Sequence, residues 1–315
     1  MNVVLLFPGQ GSQKPGMGKD LAAAHPLARD TFAQVDEALG EPFSRLCFEG
    51  PADVLTSTHN AQPALVAHAA AVWATVRGAV GKYVRTAAGH SLGEFSAYHA
   101  AGTLTLRDAV RLVRRRGDLM HDAGIATPGT MAAILGDTTR SIDAICADAS
   151  ESPEGGLVVP ANYNTDAQVV ISGEVAGVEK AMDLARAAGA KRAIRLAVSG
   201  AFHSPLMAPA RDGLAEALRT VPMARPSVPV YANVSAEPVC DADTAKRLLI
   251  EQLTSPVRWT QIVRRLTLAF PGALFVEMGP GSVLAGLVRK IAPEVRVLTC
   301  GTVSEVDALL AMAPA

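Results

Sequence analysis

The chain has 315 residues, 49% of them hydrophobic and 19% charged, with a formal net charge of −1. That is enough apolar material for one large domain, or for a domain carrying a smaller inserted one, and the near-neutral balance excludes a global basic field for nucleic acid. No stretch is expected to approach the roughly 20 apolar residues of a membrane helix. The start, Met1-Asn2-Val3-Val4-Leu5-Leu6-Phe7, lacks the basic opening of a signal peptide. The four cysteines, Cys47, Cys146, Cys240 and Cys300, are widely spaced and lack metal-ligand spacing, which points to a reduced, cytoplasmic protein.

Strand-like and amphipathic runs alternate along the chain, the pattern of an α/β fold with a parallel sheet. A first buried strand, Val3 to Phe7, ends in the loop Pro8-Gly9-Gln10-Gly11-Ser12-Gln13. A long, mostly apolar helix is expected over Gln62–Ala79 and a strand over Val84–Ala88. An amphipathic helix follows over Leu106–His121, with Thr105 at its N-cap and Asp108 three residues on. The segment from about Ala126 to Leu196 has its own rhythm: strand Met131–Leu135, helix Thr138–Ala149, strands Leu157–Tyr163 and Gln168–Gly173 joined by a turn at Asn164-Thr165-Asp166, helix Val175–Ala188 stopped by Gly189, and strand Lys191–Leu196. That βαββαβ order is the ferredoxin-like split unit. It predicts a small ferredoxin-like subdomain at 126–196 inserted into an α/β-hydrolase-like large subdomain made of 1–125 and 197–315. The larger pattern resumes with a helix at Met207–Thr220, a strand at Val228–Ala232 and a helix at Ala242–Leu253. A strand at Leu274–Met278, a helix after Gly279-Pro280-Gly281 and a strand at Val295–Leu298 complete it.

The most specific signal is Gly89-His90-Ser91-Leu92-Gly93, a G-x-S-x-G pentapeptide between strand-like and helix-like runs. Such a turn crowds the backbone on both sides of the serine, and the flanking glycines relieve that crowding. The serine hydroxyl then projects beside the free N–H groups of a helix start. A serine needs a base. Among the seven histidines, His25, His59, His68, His99 and His121 lie in or beside helical stretches, and His90 points away from its neighbour at a sharp turn. His203 lies in the loop Ser199-Gly200-Ala201-Phe202-His203-Ser204-Pro205 and is the expected base. Serine before histidine is the chain order of α/β-hydrolases. The third member of a triad stays open. Asp143, Asp166 and Asp183 fall in the inserted unit, and a carbonyl is the alternative. For an oxyanion, the N–H of Leu92 is one donor and the Gln10 loop offers a second. Neither a P-loop nor a G-x-G-x-x-G pattern can be laid over Gly9–Lys19.

In the helix over Leu106–His121, Val110, Val113, Gly117 and Met120 form an apolar stripe. At about 100° per residue, Arg111, Arg114 and Arg115 swing toward solvent, while Arg116 falls about 60° from Val113 and leans inward. An inward guanidinium needs an anion, and it suits a carboxylate through two parallel hydrogen bonds. Ser91 with an inward Arg116 therefore points to an acyl substrate carrying a free carboxylate.

The chain resembles the malonyl-CoA:acyl carrier protein transacylases and the related polyketide synthase acyltransferases. The matching blocks are Phe7-Pro8-Gly9-Gln10-Gly11-Ser12-Gln13, Gln62-Pro63-Ala64-Leu65, Gly89-His90-Ser91-Leu92-Gly93-Glu94, Arg111-Leu112-Val113 with Arg116-Gly117, Asn162-Tyr163-Asn164, Gly200-Ala201-Phe202-His203-Ser204-Pro205, Pro256-Val257-Arg258-Trp259 and Glu277-Met278-Gly279-Pro280-Gly281. They occur in order over almost the whole chain. The resemblance implies ping-pong transfer of malonate from coenzyme A through Ser91 to the phosphopantetheine thiol of acyl carrier protein, with His203 as base and then acid. It implies oxyanion N–H groups from Gln10 and Leu92 and a malonyl carboxylate clamped by Arg116. Gln62 would line the pocket, Phe202 would fill space beside the α-carbon, and the main-chain carbonyl of Gln252 would orient His203 in place of a third acid. It implies no cofactor, since malonyl-CoA is a substrate, no nucleic acid or membrane partner, and a monomer. A free-standing polyketide acyltransferase, a serine esterase or thioesterase, and a non-catalytic carrier-binding module are the rival readings.

Overall fold

The computed structural model describes residues 1–313. Among these residues, ten strands form two sheets. β1 (Val3–Phe7), β2 (Val84–Gly89), β7 (Val230–Tyr231), β8 (Pro238–Val239), β9 (Leu274–Met278) and β10 (Val297–Cys300) make a six-stranded sheet in the order β10-β9-β1-β2-β7-β8. All its pairs are parallel except the short β7–β8 hairpin. β3 (Thr130–Leu135), β4 (Val158–Thr165), β5 (Gln168–Gly173) and β6 (Arg192–Arg195) make an antiparallel sheet in the order β4-β5-β3-β6. The fold class read from the sequence is the one found: a parallel-rich sheet with helices, and a separate antiparallel sheet built from a βαββαβ run.

The period of two along β1 divides the core. Val3, Leu5 and Phe7 face one buried cluster, and Val4 and Leu6 face a second on the opposite side of the sheet. Burial of every residue of β1 is what a parallel sheet covered on both faces requires. A third cluster fills the space between the antiparallel sheet and the helices Ile142–Glu151 and Val175–Ala187.

The helix Thr58–Val80 corrects one expectation. With its extension to Tyr83 it is long and apolar enough to cross a membrane by length and composition. In the fold its residues from Ala61 to Val72 are buried around the whole circumference, because neighbouring helices cover it on several sides. Element boundaries shift elsewhere for local reasons. The helix expected from Thr138 begins at Ile142, because the Ser141 hydroxyl accepts from the Ala144 N–H and caps it there. β4 runs through Thr165, which moves the hairpin turn to Asp166-Ala167.

Phe7 and Gly89 are register partners at the carboxyl ends of β1 and β2. The loop after β1 and the turn after β2 therefore emerge side by side, at the edge where α/β sheets bind ligands. Close approach there demands glycine. A Cβ on Gly93 would lie 2.0 Å from the Phe7 carbonyl oxygen, and one on Gly89 would lie 2.0 Å from Gly93 backbone atoms. Both obstacles are backbone, so Gly93→Ala is expected to destabilise the chain by about 3 kcal/mol or more, the upper range for overpacking. Denaturant unfolding checks this; an unchanged midpoint refutes the close contact.

Candidate active site

Ser91 occupies the turn between β2 and the helix Gly93–Ala100, with φ at 51°. The left-handed conformation is uncommon for serine and costs on the order of 1–3 kcal/mol. The surroundings hold it in place: the Ser91 N–H donates to Asn233 Oδ1 at 2.6 Å, and Asn233 Nδ2 donates to the Gly89 carbonyl at 2.7 Å. Asn233 thus ties the two ends of the elbow together from the loop after β7. Nothing in the local sequence marks it.

His203 also has a positive φ, 59°, in the irregular loop after β6. Its Nε2 lies 2.7 Å from Ser91 Oγ. Its Nδ1 lies 2.9 Å from the main-chain carbonyl of Gln252 and 3.2 Å from that of Ser255. Carbonyls only accept, so Nδ1 carries the proton and Nε2 is left to accept from the serine hydroxyl. Asp143, Asp166 and Asp183 are engaged elsewhere, with Tyr163, Arg264 and Arg186. Burial, and then the nearby Arg116 cation, push the imidazole down to about 3. The ring is therefore neutral at physiological pH, as a proton acceptor must be.

Arg116 is 1% exposed, on the buried face of the helix Leu106–Ala126. Its Nη1 donates to Gln62 Oε1 at 2.8 Å, and Nη2 donates to Gln252 Oε1 at 3.0 Å and to Ser91 Oγ at 3.2 Å. Its Nε has no partner, and among the described residues no carboxylate lies within ion-pair distance of it. Burial lowers its proton affinity to about 10, opposed through space by Glu94, so it remains charged at neutral pH. The guanidinium is thus held by two neutral amides and a hydroxyl and lies over the Phe95 ring, without an anionic partner in ion-pair contact. Its neighbours are less free than helical phase implies. Arg114 donates to Asn60 Oδ1 at 2.6 Å, pairs with Glu41 and lies over the Phe43 ring. Arg111 donates to the Ala38 carbonyl at 2.8 Å. Arg111 and Arg115 are nonetheless exposed, as expected, and only Arg114 is half-buried.

These groups meet at a cavity of about 340 Å³ between the two sheets. Gln10, His90, Ser91, Arg116, Phe202 and His203 line it from the larger sheet's side, and Met131 and Leu196 line it from the antiparallel one. Phe202 therefore stands on the cavity wall beside the base. Among the described residues, no backbone hydrogen bond engages the N–H of Gln10 or Leu92. Gln62, expected to line the pocket, stands behind the wall instead, as does the Gln252 side chain. Both are fully buried and hold Arg116 from the rear. The Gln252 carbonyl nevertheless meets His203, so this residue serves base and guanidinium at once. Glu94, a further buried residue, contacts Gln252 Nε2 at 2.7 Å and the Asn233 N–H at 3.2 Å.

The fold and this pocket define an acyltransferase: residues 4–311 match the family described as the acyl transferase domain. Within that class the chain is 47% identical to the malonyl CoA-acyl carrier protein transacylase of Bacillus subtilis, over 92% of this chain and 90% of that one. It is 42% identical to the protein of the same description from Escherichia coli, over 97% of each. The acyl-carrier-protein-S-malonyltransferase of Bartonella henselae superposes with a TM-score of 0.94 at 44% identity, covering 99% of both chains. A malonyl-transacylase solved in complex with a type II PKS acyl carrier protein superposes at 0.93 with 39% identity, again over 99% of each. The chain belongs to the malonyl CoA-acyl carrier protein transacylase family.

Proposed function

We propose that the protein transfers a malonyl group from coenzyme A to the phosphopantetheine thiol of acyl carrier protein, supplying fatty acid synthesis, with Ser91 as nucleophile. The observation that carries the substrate choice is Arg116: a buried cation without a carboxylate partner, 3.2 Å from Ser91 Oγ. A thioester bearing a free carboxylate supplies the missing anion.

His203 Nε2 takes the Ser91 proton as Oγ attacks the thioester carbonyl. The oxyanion forms facing the Gln10 and Leu92 N–H groups. Collapse breaks the C–S bond, and the coenzyme A sulfur leaves with the proton held on His203. The carrier thiol then gives its proton to His203 as its sulfur attacks the malonyl-serine ester, and collapse returns that proton to Ser91 Oγ. The sequence uses no cofactor. Phe202 restricts space beside the acyl α-carbon, which favours an unsubstituted malonyl group by the modest margin a single methyl allows. The cavity's lining by residues of both sheets supports a division at residues 126 and 196 into a large and a small subdomain. The free thiols, three buried and one exposed, support a reduced cytoplasmic setting.

Incubation with malonyl-CoA is expected to yield a malonyl-enzyme by intact mass, discharged by holo-acyl carrier protein with appearance of malonyl carrier. Dominant release of free malonate with carrier present refutes transfer in favour of hydrolysis. The likeness to the transacylase bound to a type II PKS carrier supports a second reading, loading of a polyketide carrier. Relative transfer rates to fatty acid and polyketide carrier proteins separate the two.

A further inference from the structure

We propose that Glu94 is a positioning residue: its carboxylate fixes which way the Gln252 side-chain amide faces, and thereby holds Arg116 in place to receive the acyl carboxylate. The inference rests on the function proposed above. Gln252 Oε1 accepts from Arg116 Nη2 at 3.0 Å, while Nε2 donates to Glu94 Oε2 at 2.7 Å and to the Ser91 carbonyl at 3.0 Å. The two ends of an amide have nearly the same shape, so only partner chemistry selects one orientation. A guanidinium only donates, and Glu94 Oε2 is fixed as an acceptor by the Asn233 N–H it also receives. With Glu94 on one side and Arg116 on the other, the reversed amide would set N–H against N–H and oxygen against oxygen.

Two further observations separate Glu94 from an ordinary buried acid. It lies in the first turn of its helix, where an acidic residue commonly serves the helix start, yet its side chain caps no N–H of that helix. Its Oε1 has no partner at all. Glu277, also buried, shows the contrasting structural use: its two oxygens take the N–H groups of Leu284 and Ala285, one each. Leaving a buried carboxylate oxygen unsatisfied is costly, and burial pushes Glu94 up to about 7 despite its two donors. The one oxygen that is used receives the Asn233 N–H and the Gln252 amide. That cost is spent at the node behind Arg116.

Glu94→Gln keeps the shape and replaces the carboxyl with an amide that can face Gln252 with either an acceptor or a donor. With malonyl-CoA and acetyl-CoA in competition, read by intact mass of the acyl-enzyme, the malonyl-to-acetyl ratio is expected to fall about tenfold, the worth of one charge-assisted hydrogen bond. An unchanged ratio in folded Glu94→Gln overturns the proposal. Gln252→Met retains the main-chain carbonyl for His203 and deletes the amide, and it must lower the ratio by itself. An unchanged ratio there overturns the proposal even if Glu94→Gln does not fold. The double variant should match Gln252→Met, because Glu94 acts through the amide; additive losses refute that route. Absence of malonyl loading in the parent enzyme would instead refute the proposed function, so the two failures are distinguishable.

Discussion

Ser91→Ala, incubated with malonyl-CoA, is expected to form no malonyl-enzyme, and its turnover should fall by roughly a millionfold, as when one member of a nucleophile–base unit is removed. Ser91 is the hydroxyl held 2.7 Å from a histidine whose other nitrogen is anchored on a carbonyl. The elbow concentrates its strain on this residue, which the Asn233 amide holds in a left-handed turn. Alanine preserves that backbone arrangement, because the tie runs through the Ser91 N–H and not through its hydroxyl. The variant should therefore fold and still bind malonyl-CoA while lacking only the atom that attacks. A malonyl adduct persisting on another side chain, located by peptide mapping, would refute the nucleophile assignment.

The elbow was legible because all its constraints are local: two glycines, a strand before and a helix after. Arg116 was legible from helical phase, since a residue about 60° from an apolar stripe is carried inward by geometry alone. His203 stood out by the irregularity of its loop. What could not be read are the contacts that span the chain. Asn233 reaches Ser91 across 142 positions, and Gln252 reaches Glu94 across 158. An amide or acid in such a place has the same local sequence context as a surface residue, and only the closed sheet brings the partners together. The same limit explains Gln62, whose family block places it near the substrate while three-dimensional packing sets it one layer behind. It also explains the helix Thr58–Val80, whose apolar circumference follows from the elements packed around it.

Arg116→Ala is expected to cut malonyl loading by about a hundredfold or more, the usual cost of deleting one partner of a buried charge pair, while acetyl loading falls far less. The reason for the asymmetry lies in what the guanidinium does in each case. With malonyl-CoA it gains the carboxylate partner that the fold withholds, since its hydrogen bonds go only to two amides and the Ser91 hydroxyl. With acetyl-CoA it remains unpaired, and it also stands close enough to be the second cause lowering His203. Pairing Arg116 with a substrate carboxylate offsets that positive field, so the same contact that binds malonate raises the basicity of the histidine that must take the serine proton. Acetate brings no such relief. Removing the arginine lifts the field for both substrates but removes the binding contact for only one. Acetyl loading in Arg116→Ala should therefore fall far less, and the malonyl-to-acetyl ratio in a mixed competition should collapse. Equal losses for the two substrates would show that the arginine supports the fold and does not select the acyl group.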